Sequence, residues 1–568
     1  MSGTGAAEVA VRRSRRIDPD ERDSSDESGV AGGVVRQDGR MDRRDESMGD
    51  TRLTSIPALF ADRARQFPDV LAVAGPEGRM TYAELAEHAL AVTRAAMASG
   101  LGPGDRVGIW APNGARWIVT ALGLLGAGAV LVPINTRLTG VETADILARA
   151  RARALFTVRG FLGNDYPRLL AESGRVLPTL RRTVDMSAAG EWRSFLESGS
   201  GTPAAAARAR AAAVDAHAIS DILFTSGTTG APKGVLATHR QTLEVFDRWA
   251  DAVTLRHGDR CLLVNPFSHT FGYKAGIIAC LLRAATMIPV PRFDADAVLD
   301  LIARERVTML AGAPTLFTDL LRRDRTGRDL SSLRLAGTGG APVPTELVER
   351  IRSELGVPHV YTAYGLTESI GVVTVCPPDA PAELAAQTVG KAVLDTEIRL
   401  VDRDGAPVGA GVPGEITVRG PNVMRGYLDD REATAAAIDT DGWLHTGDVG
   451  TLDADGYLRI TDRLKDVFIV GGFNAYPAEI ERTLLGHPGI RDVAVVGVPD
   501  PRLGEVGRAV VVPTDPDAAD ADAILGWART RLAGYKVPRE IAFTDALPRN
   551  TGGKVMKNLL RAPASRPE

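Results

Sequence analysis

The chain has 568 residues, 44% of them hydrophobic and 24% charged, a composition typical of a folded globular protein of about two to four domains. Its formal net charge of -4 provides no concentrated basic surface, so nucleic acid is not an expected partner. The three cysteines, Cys261, Cys280 and Cys376, are not spaced as metal ligands, which argues against a disulfide framework and indicates a reducing, cytoplasmic location.

The first 50 residues form a region of their own. They contain no Phe, Tyr or Trp and are rich in Arg, Asp, Glu, Ser and Gly, so they cannot bury enough apolar surface to offset the entropy lost on ordering. The basic run "RRSRR" is followed directly by acidic residues, which favours a solvated tail over a nucleic-acid or membrane site, and we find no signal-peptide pattern. We expect residues 1–50 to be a disordered tail, with Met41 and Met48 as alternative translation starts.

From Thr51 the sequence alternates between helix and strand patterns. The stretch "TYAELAEHALAVTRAAMASG" has apolar residues at helical spacing, a capping box of Thr81 and Glu84, and a stop at Gly100. Strand patterns such as "RVGIW", "ALFTV", "TMIPVP" and "VTMLAGAP" are separated by further helical patterns. This alternation predicts an α/β fold in which helices cover both faces of parallel sheets.

The uncharged run "WIVTALGLLGAGAVLVPI", residues 117–134, is long enough to raise the question of a membrane span. Three glycines, a threonine and Pro133 interrupt it. A helix from Pro112 that turns at Gly126–Gly128 into a buried strand accounts for the pattern better. We therefore expect no integral membrane segment.

The character of the sequence changes after about residue 391. The stretches "TEIRLVDRDGAPV" and "GEITVRG" predict short strands around an Asp404–Gly405 turn, and Asp455–Gly456 is a second hairpin signal. A small antiparallel β unit is therefore expected beside the α/β body. The last 100 or so residues follow a β-β-α-β-β-α pattern that is long enough for a small mobile α+β domain. The predicted domains are the tail, a large domain of residues 51–463 and a small C-terminal domain of residues 464–568.

A loop rich in hydroxyls and glycine joins two strand patterns in "ILFTSGTTGAPKGVLATH", residues 222–239. Its hydroxyls and sterically open N–H groups come from Thr225, Ser226, Gly227, Thr228, Thr229 and Gly230. Backbone amides around a concavity bind anions, usually phosphate. Gly234 follows Lys233 where a P-loop has Ser or Thr, and the G-x-G-x-x-G pattern does not fit either. The loop predicts a phosphate site, with a flexible surface loop as the alternative.

Three further stretches strengthen this prediction: "YTAYGLTES" (361–369), "WLHTGDVG" (443–450) and "DRLKDVFIVGGFNAYPAEIE" (462–481). Together with "TSGTTGAPKG" and "PRNTGGK" they resemble the ordered motif series of the adenylate-forming superfamily, which includes acyl-CoA synthetases, luciferases and peptide-synthetase adenylation domains. The resemblance covers about residues 51–563. It implies an enzyme that converts a carboxylic acid and ATP to an acyl-adenylate and pyrophosphate, after which a thiol displaces AMP.

The resemblance implies roles for individual residues around the nucleotide. Lys233 and the loop residues Thr225, Ser226, Gly227, Thr228 and Thr229 would hold the β and γ phosphates. Thr367 would contact phosphate, and Glu368 would bind Mg²⁺, which prefers hard oxygen ligands. The ribose would meet Asp448 and Arg463, and the adenine would be walled by Gly339, Gly340, Ala341, Tyr361 and Tyr364. Structural alternatives stay open, because Glu368 could be a helix-start carboxylate and Asp448 a turn former.

The resemblance also implies that the small C-terminal domain moves between the two steps. Lys554 would be catalytic, because it would neutralise charge between the carboxylate and the α-phosphate. The small domain would then rotate about a hinge at Lys465 and bring Gly471 and Gly472 to the thiol arm of CoA. A solvated lysine and a plain hairpin turn are the structural alternatives.

The stretch "NPFSHTFGYKAG", residues 265–276, corresponds to part of the acid pocket. His269 resembles a gate position of the family and is assigned a catalytic role, with a helix-capping or packed histidine as the alternative. No acidic residue follows before Asp294, so the buried ammonium of an α-amino acid would lack a partner. Lys274 is expected to extend outward to solvent, with recognition of a polar group on the acid as the alternative.

The acid itself is expected to be hydrophobic, because the small and apolar residues Ile370, Gly371 and Val372 follow the "YTAYGLTES" motif. These stretches resemble actinobacterial acyl-CoA ligases, including those that activate the propionate side chain of degraded steroid rings. No carrier segment follows the last motif, so free CoA is the expected acceptor. The sequence thus predicts a carboxylic acid–CoA ligase that uses ATP, Mg²⁺ and CoA, with two alternatives: a ligase that loads a separate carrier protein, or a nucleotide-binding protein without activity.

Overall fold

The computed structural model describes the chain from Ser55 to Arg561 apart from short gaps. The described ranges are 55–75, 77–225, 232–340, 343–393, 395–463, 466–470, 473–532, 534–550 and 553–561. The predicted disordered tail lies outside these ranges, as do Ser226, Gly227, Thr228, Thr229, Ala341, Lys465, Gly471 and Gly472. Of Arg463 only the backbone is described.

Residues 55–252 form ten strands and eight helices. The strands are β1 (Leu71–Gly75), β2 (Gly78–Thr81), β3 (Arg106–Trp110), β4 (Val130–Pro133), β5 (Ala154–Thr157), β6 (Arg159–Phe161), β7 (Asn164–Asp165), β8 (Arg182–Asp185), β9 (Ile219–Thr225) and β10 (Lys233–Thr238). The helices are α1 (Ile56–Gln66), α2 (Tyr82–Ala98), α3 (Ala115–Gly126), α4 (Gly140–Arg149), α5 (Tyr166–Glu172), α6 (Ala189–Ser198), α7 (Ala204–Ala212) and α8 (His239–Ala252).

The first sheet has six strands in the order β10-β9-β4-β3-β5-β8 and is parallel except for the β9–β10 hairpin. Strands β4 and β5 are buried along their whole length because helices cover both faces of the sheet. The capping box of Thr81 and Glu84 starts α2 as predicted. The uncharged run is the buried helix α3 followed by β4, although α3 begins at Ala115 rather than at Pro112. Across the described ranges we find no helix that is long and apolar enough to span a bilayer.

Residues 260–392 form the rest of a second, nine-stranded sheet. Its strands are β11 (Arg260–Leu263), β12 (Thr286–Pro289), β13 (Met309–Gly312), β14 (Leu335–Thr338), β15 (His359–Tyr364), β16 (Thr374–Val375) and β17 (Lys391–Ala392). The helices are α9 (Thr270–Gly272), a π-helical segment (Tyr273–Ile278), α10 (Ala279–Arg283), α11 (Ala295–Glu305), α12 (Pro314–Leu321), α13 (Thr345–Glu354) and α14 (Ala382–Gln387), with a 3-10 turn at Thr367–Ser369.

The second sheet runs in the order β17-β16-β15-β14-β13-β11-β12-β1-β2. Its central strands from β15 to β1 are parallel, and antiparallel strands close both edges. The carboxyl ends of the parallel strands meet at one edge, the usual position of a ligand site in such sheets. The two sheets share a hydrophobic core, in which Trp117 of α3 packs edge-on against Phe267 with 5.1 Å between ring centroids.

Residues 397–463 form the predicted small antiparallel β unit. It consists of β18 (Glu397–Val401), β19 (Gly414–Arg419), β20 (Leu444–Leu452), β21 (Leu458–Arg463) and the helix α15 (Arg431–Ala437). Gly405 and Gly456 occupy the two predicted turns with φ of 81° and 83°, a left-handed conformation that favours glycine.

The C-terminal segment has its own sheet and its own hydrophobic core. Its elements are β22 (Phe468–Val470), β23 (Phe473–Ala475), α16 (Pro477–Leu485), β24 (Ile490–Asp500), β25 (Gly504–Pro513), α17 (Ala521–Arg529) and β26 (Glu540–Phe543), with 3-10 turns at Pro516–Ala518 and Lys557–Leu560. The predicted β-β-α-β-β-α order is confirmed, and β26 extends the sheet beside β25. The fold is the predicted α/β body with a small β unit, followed by a small α+β C-terminal domain.

Candidate active site

The predicted phosphate loop is the connection of the β9–β10 hairpin. Thr225 and Lys233 face each other as the last pair of that hairpin, and Thr225 Oγ1 donates a hydrogen bond to the Lys233 carbonyl oxygen at 3.5 Å. Residues 226–231 of the loop between them, which include the predicted site residues Ser226, Gly227, Thr228 and Thr229, lie outside the described residues. The hairpin therefore places Lys233 at the mouth of the predicted loop.

Tyr427 connects Lys233 with Glu368. Its segment runs beside β10, with the Leu428 N–H donating to the Gly234 carbonyl oxygen at 2.7 Å. The Tyr427 hydroxyl donates to Glu368 Oε1 at 3.0 Å, and Lys233 Nζ lies 4.9 Å from the centre of the Tyr427 ring. Burial and the neighbouring carboxylate of Glu368 raise the pKa of Tyr427, so the phenol keeps its proton and remains a donor. Tyr427 was not among the residues predicted from the sequence.

A tight turn after β15 presents Thr367 and Glu368. It begins at Gly365, where a Cβ atom would lie 2.2 Å from a backbone oxygen across the turn, so a larger residue cannot be accommodated. Ser369 Oγ then accepts a hydrogen bond from the Leu366 N–H at 3.0 Å. The turn thus holds one hydroxyl and one carboxylate at the carboxyl edge of the second sheet.

Asp448 lies close to the same edge, on strand β20. Its side chain is only 4% exposed, and Oδ2 accepts a hydrogen bond from the Tyr364 hydroxyl at 2.7 Å. On the neighbouring strand β21, Arg463 is the direct backbone partner of Asp448. The structure therefore brings together Tyr364, Asp448 and Arg463, three of the residues predicted for the nucleoside.

The two glycines predicted to wall the adenine follow β14 directly. Gly340 has a φ of +77°, which favours glycine, and Gly339 passes close to the backbone of β15, since a Cβ there would lie 3.3 Å from the Ala363 carbonyl oxygen. Just before them, Thr338 Oγ1 is buried without a hydrogen-bond partner among the described residues. A buried orphan hydroxyl of this kind suits a site that is completed by a polar ligand.

Tyr361 does not share a surface with Tyr364, and this corrects the prediction that both wall the adenine. The two residues are three positions apart on β15, so their side chains point to opposite faces of the sheet. Tyr364 packs with Leu400 and Ile416 of the β unit, whereas Tyr361 packs edge-on against Trp249 at 5.9 Å. The two tyrosines are close together in the sequence motif, but the alternation of side chains along β15 places them on opposite faces of the sheet.

A small apolar cavity lies on the Tyr361 side of the sheet. Its wall includes Trp249, Cys261, Phe271, Gly276, Met309 and Ala311. These residues come from α8, from the helix that follows β11, and from β11 and β13 themselves. Part of the stretch predicted as the acid pocket, residues 265–276, therefore contributes to an apolar wall.

His269 begins the helix that borders this cavity. Its Nδ1 accepts a hydrogen bond from the Phe271 N–H at 3.2 Å, so the ring caps α9 as in the structural alternative. His269 is exposed at the surface, and desolvation by the protein around it lowers its pKa. The histidine predicted as catalytic thus lies at the surface and caps the helix beside the cavity.

Lys274 contradicts the prediction that it extends to solvent. Its side chain is 1% exposed, and Nζ lies 3.0 Å from Oδ1 of the buried Asp221 on β9. Burial lowers the pKa of Lys274, and the carboxylate of Asp221 opposes that shift. The cation is used inside the core, where it connects the π-helical segment to the strand that leads into the phosphate loop.

Lys554 lies in a loop of the C-terminal domain. Its N–H donates to Asn550 Oδ1 at 2.9 Å, and its carbonyl oxygen accepts from the Asn550 N–H at 2.8 Å. The preceding Arg549 donates to the Gly553 carbonyl oxygen and forms an ion pair with Asp492 at 2.6 Å. These contacts hold the backbone of Lys554 within its own loop.

The donor set suits a magnesium ion that is bound mostly by its substrate. Glu368 supplies one carboxylate, of which Oε1 accepts from Tyr427. Mg²⁺ commonly takes one or two carboxylates and fills its other positions with phosphate oxygens and water. Within the described ranges no group of three or more His, Cys, Asp or Glu residues could hold a metal, so a metal caged by protein alone is not indicated there.

Comparison with known proteins identifies the family. Residues 60–428 match the model of the AMP-binding enzyme family, and residues 479–554 match the model of the AMP-binding enzyme C-terminal domain. The chain therefore belongs to the AMP-binding enzymes. Within them it is an AMP-forming acyl-CoA ligase, whose substrates are a carboxylic acid, ATP and CoA.

The chain is also similar to individual proteins along most of its length. The chain is 49% identical over 513 residues to the 3-[(3aS,4S,7aS)-7a-methyl-1,5-dioxo-octahydro-1H-inden-4-yl]propanoyl:CoA ligase of Mycobacterium tuberculosis, covering 90% of this chain and 99% of that protein. It is 46% identical over 517 residues to the ligase of the same name from Rhodococcus jostii, covering 89% and 98%. The structure of ATP-bound MatB from Rhodopseudomonas palustris matches with a TM-score of 0.78 and 32% identity, covering 89% of this chain and 98% of that one.

Proposed function

We propose that this enzyme joins an alicyclic carboxylic acid to CoA, with the acid's ring system held in the apolar cavity. The observation that carries the proposal is where that cavity lies. Its wall is formed by β11 and β13, whose carboxyl ends lie at the same sheet edge as the turn carrying Thr367 and Glu368. An acid held in the cavity with its carboxylate toward this edge would meet the α-phosphate of ATP there.

Different residues around that edge bind different parts of the ATP phosphates. Lys233 and the hydroxyls of Thr225 and of its loop hold the β and γ phosphates, and Thr367 donates to phosphate. Glu368 would hold Mg²⁺, which would supply charge neutralisation on the phosphate oxygens. Fixed donors and cations at these positions lower the barrier because they act where negative charge develops.

The nucleoside is held by a second group of residues. Asp448 accepts hydrogen bonds from the ribose hydroxyls, in an orientation that its contact with Tyr364 keeps, and Arg463 lies beside the ribose. Tyr364, Gly339, Gly340 and Ala341 line the adenine. Asp448 is well suited to this role because its carboxylate is held by a hydrogen bond on a strand rather than on a mobile loop.

The second step needs the small domain to move. We place the boundary at residues 463 and 464, with a large domain of residues 51–463 and a small domain of residues 464–568. Lys465 is the proposed hinge, Lys554 serves adenylation, and Gly471 and Gly472 approach the thiol arm of CoA after the rotation. The proposed location is the cytoplasm, which agrees with three buried free cysteines.

The acid class follows from the cavity and from the relatives. The wall residues are mostly apolar, and Lys274 is already paired with Asp221, so neither a second carboxylate nor an ammonium on the acid would find a partner in that ion pair. The relatives named above act on a propanoate that carries a bicyclic ring system. A compact alicyclic acid is therefore the proposed substrate.

A pyrophosphate-release assay over a panel of acids tests the proposal. The panel contains medium and long fatty acids, benzoates and the bicyclic dioxo propanoate named above, each with and without CoA. Turnover that depends on CoA and favours the bicyclic acid is the expected result. A burst of pyrophosphate without CoA turnover would identify a carrier protein as the acceptor, and no release from any acid would support a nucleotide-binding protein without activity.

Asp448→Asn is expected to raise the KM for ATP about 10- to 100-fold, because hydrogen bonds to a charged group contribute about 1.5–3 kcal/mol each. The KM for the acid should change little. Steady-state pyrophosphate release at varied ATP provides the measurement. Asp453→Asn, in an exposed turn of the same β unit, is the matched control and should keep the wild-type KM. An unchanged KM for ATP in Asp448→Asn would remove the residue from the ribose site.

A further inference from the structure

The cavity has one buried polar group beside it that the adenylation chemistry does not use. The strands of the second sheet are in register, with Cys261 opposite Met309, Ala311 opposite Gly337, and Gly337 opposite Tyr361. Directly paired residues of parallel strands point to the same face of a sheet. Because Cys261, Met309 and Ala311 line the cavity, Tyr361 belongs to the cavity face as well.

The glycine between these residues leaves room for the tyrosine ring directly behind the cavity wall. A Cβ atom on Gly337 would lie 2.2 Å from both Cζ and the hydroxyl oxygen of Tyr361. The phenol end of the ring therefore lies across Gly337, toward β13 and Ala311, and any other residue at 337 would displace it. The ring is 1% exposed, and its edge-on contact with Trp249, another cavity residue, holds it in this orientation.

The Tyr361 hydroxyl has no hydrogen-bond partner among the described residues, although it is fully buried. Burial raises its pKa, so it remains a donor. The polar side chain on the cavity wall is that of Asn265, and its amide N–H already donates to the Ala311 carbonyl oxygen at 2.9 Å. Buried hydroxyls in native proteins are nearly always hydrogen-bonded, and a group left over beside a cavity indicates that the ligand supplies the acceptor.

We propose that the Tyr361 hydroxyl is the specificity group of the acid pocket and donates a hydrogen bond to a ketone oxygen on the ring of the acid far from its carboxylate. The inference rests on the proposed function. Tyr361 lies three residues before Tyr364 on β15, which places it about 10 Å further from the carboxyl edge, where the acid is activated. The acid named for the two bacterial relatives carries a ketone on its five-membered ring, remote from the propanoate arm, and a second ketone beside that arm.

Tyr361→Phe tests the hydrogen bond because it keeps the ring and removes only the hydroxyl. Three acids serve as substrates: the bicyclic dioxo propanoate, the same acid without the ketone on the five-membered ring, and the same acid without the other ketone. The wild type is expected to lose about tenfold in kcat/KM when the remote ketone is missing. Tyr361→Phe should turn over the first two acids equally, and both enzymes should respond alike to loss of the ketone beside the arm.

Tyr273→Phe is the matched control. Tyr273 is also 1% exposed and its hydroxyl also lacks a partner in the described part of the chain. Its ring, however, packs against Trp117 at 5.8 Å, which is not a wall residue, whereas the ring of Tyr361 packs against the wall residue Trp249. This variant should keep the wild-type preference for the remote ketone. The melting temperature of Tyr361→Phe should equal or exceed that of the wild type, because a hydroxyl without a partner contributes no stability to the free enzyme.

The possible outcomes separate the two proposals. The wild type could turn over the bicyclic acid and yet show, like Tyr361→Phe, the same kcat/KM with and without the remote ketone. In that case the hydroxyl assignment is wrong and the proposed function stands. A loss of activity in Tyr361→Phe that is equal for all three acids would likewise contradict a specificity role. If the wild type turns over none of the three acids, the proposed acid class fails, and the hydroxyl assignment fails with it.

Discussion

Lys554→Ala is expected to reduce acyl-adenylate formation about a thousandfold and to leave thioester formation from supplied acyl-adenylate within about twofold of the wild type. In the proposed mechanism the lysine neutralises charge between the carboxylate and the α-phosphate, a role that exists only in the first step. For the second step we propose that the small domain rotates, so that a different part of it would face the thiol.

The two steps can be measured separately. Acid-dependent exchange of pyrophosphate into ATP reports adenylation, and rapid mixing of synthetic acyl-adenylate with CoA reports thioester formation. Lys557→Ala is a suitable control, since Lys557 lies three residues further along the same domain and forms an ion pair with Glu481 at 2.7 Å. It should retain adenylation. Equal loss of both steps in Lys554→Ala would show that the residue does not act in adenylation alone.

Lys274→Met is expected to lower the free energy of unfolding by about 3–5 kcal/mol, because it leaves the buried carboxylate of Asp221 without its cation. Both side chains are almost fully buried, so water cannot replace the lost partner. The double variant Lys274→Met with Asp221→Val should recover most of this loss, because it removes both charges. Ser220, which donates to Asp221 Oδ2 at 2.7 Å, would keep a second acceptor in the Ala237 carbonyl oxygen at 3.2 Å.

Urea unfolding at constant pH measures these differences. Lys536→Met provides the control, because Lys536 pairs with Glu479 at a similar distance of 2.7 Å but both side chains reach water. Its loss should stay below about 1 kcal/mol, as for other partly exposed ion pairs. A stability of Lys274→Met close to the wild type would mean that the buried pair contributes little. Failure of the double variant to recover would mean that packing around Lys274 decides the loss, and not the unpaired charge.

Much of the fold could be predicted because its signals are local. The capping box of α2 and the turns at Gly405 and Gly456 each depend on a few neighbouring residues. The π-helical segment at Tyr273–Ile278 could not be predicted in this way. Its sequence reads as a continuous helix, and the buried partner of Lys274 comes from a strand of the other sheet. The missed strand β26 is short and half exposed, so its apolar pattern is weak.

In the candidate site, too, residues within continuous motifs could be predicted, whereas residues that act through tertiary contacts could not. The motifs around Lys233, Glu368 and Asp448 could be recognised because each is a continuous stretch with its own chemistry. Tyr427 was missed because its role depends on pairing with β10 and on contact with Glu368, which no local pattern records. Tyr361 was assigned to the wrong surface, although the two-residue period of a strand already separates it from Tyr364.

The sequence by itself determined the class of fold and the order of most elements, because periodicity and capping are properties of adjacent residues. Its motifs also predicted residues for the reaction chemistry through their resemblance to a known family. Only the tertiary structure decided which of those residues meet. The pairing of Lys274 with Asp221, the connection through Tyr427, and the position of Tyr361 across Gly337 beside the cavity all join segments far apart in the chain. Such contacts depend on strand register and on the burial of opposite charges, and neither is encoded in a single stretch of sequence.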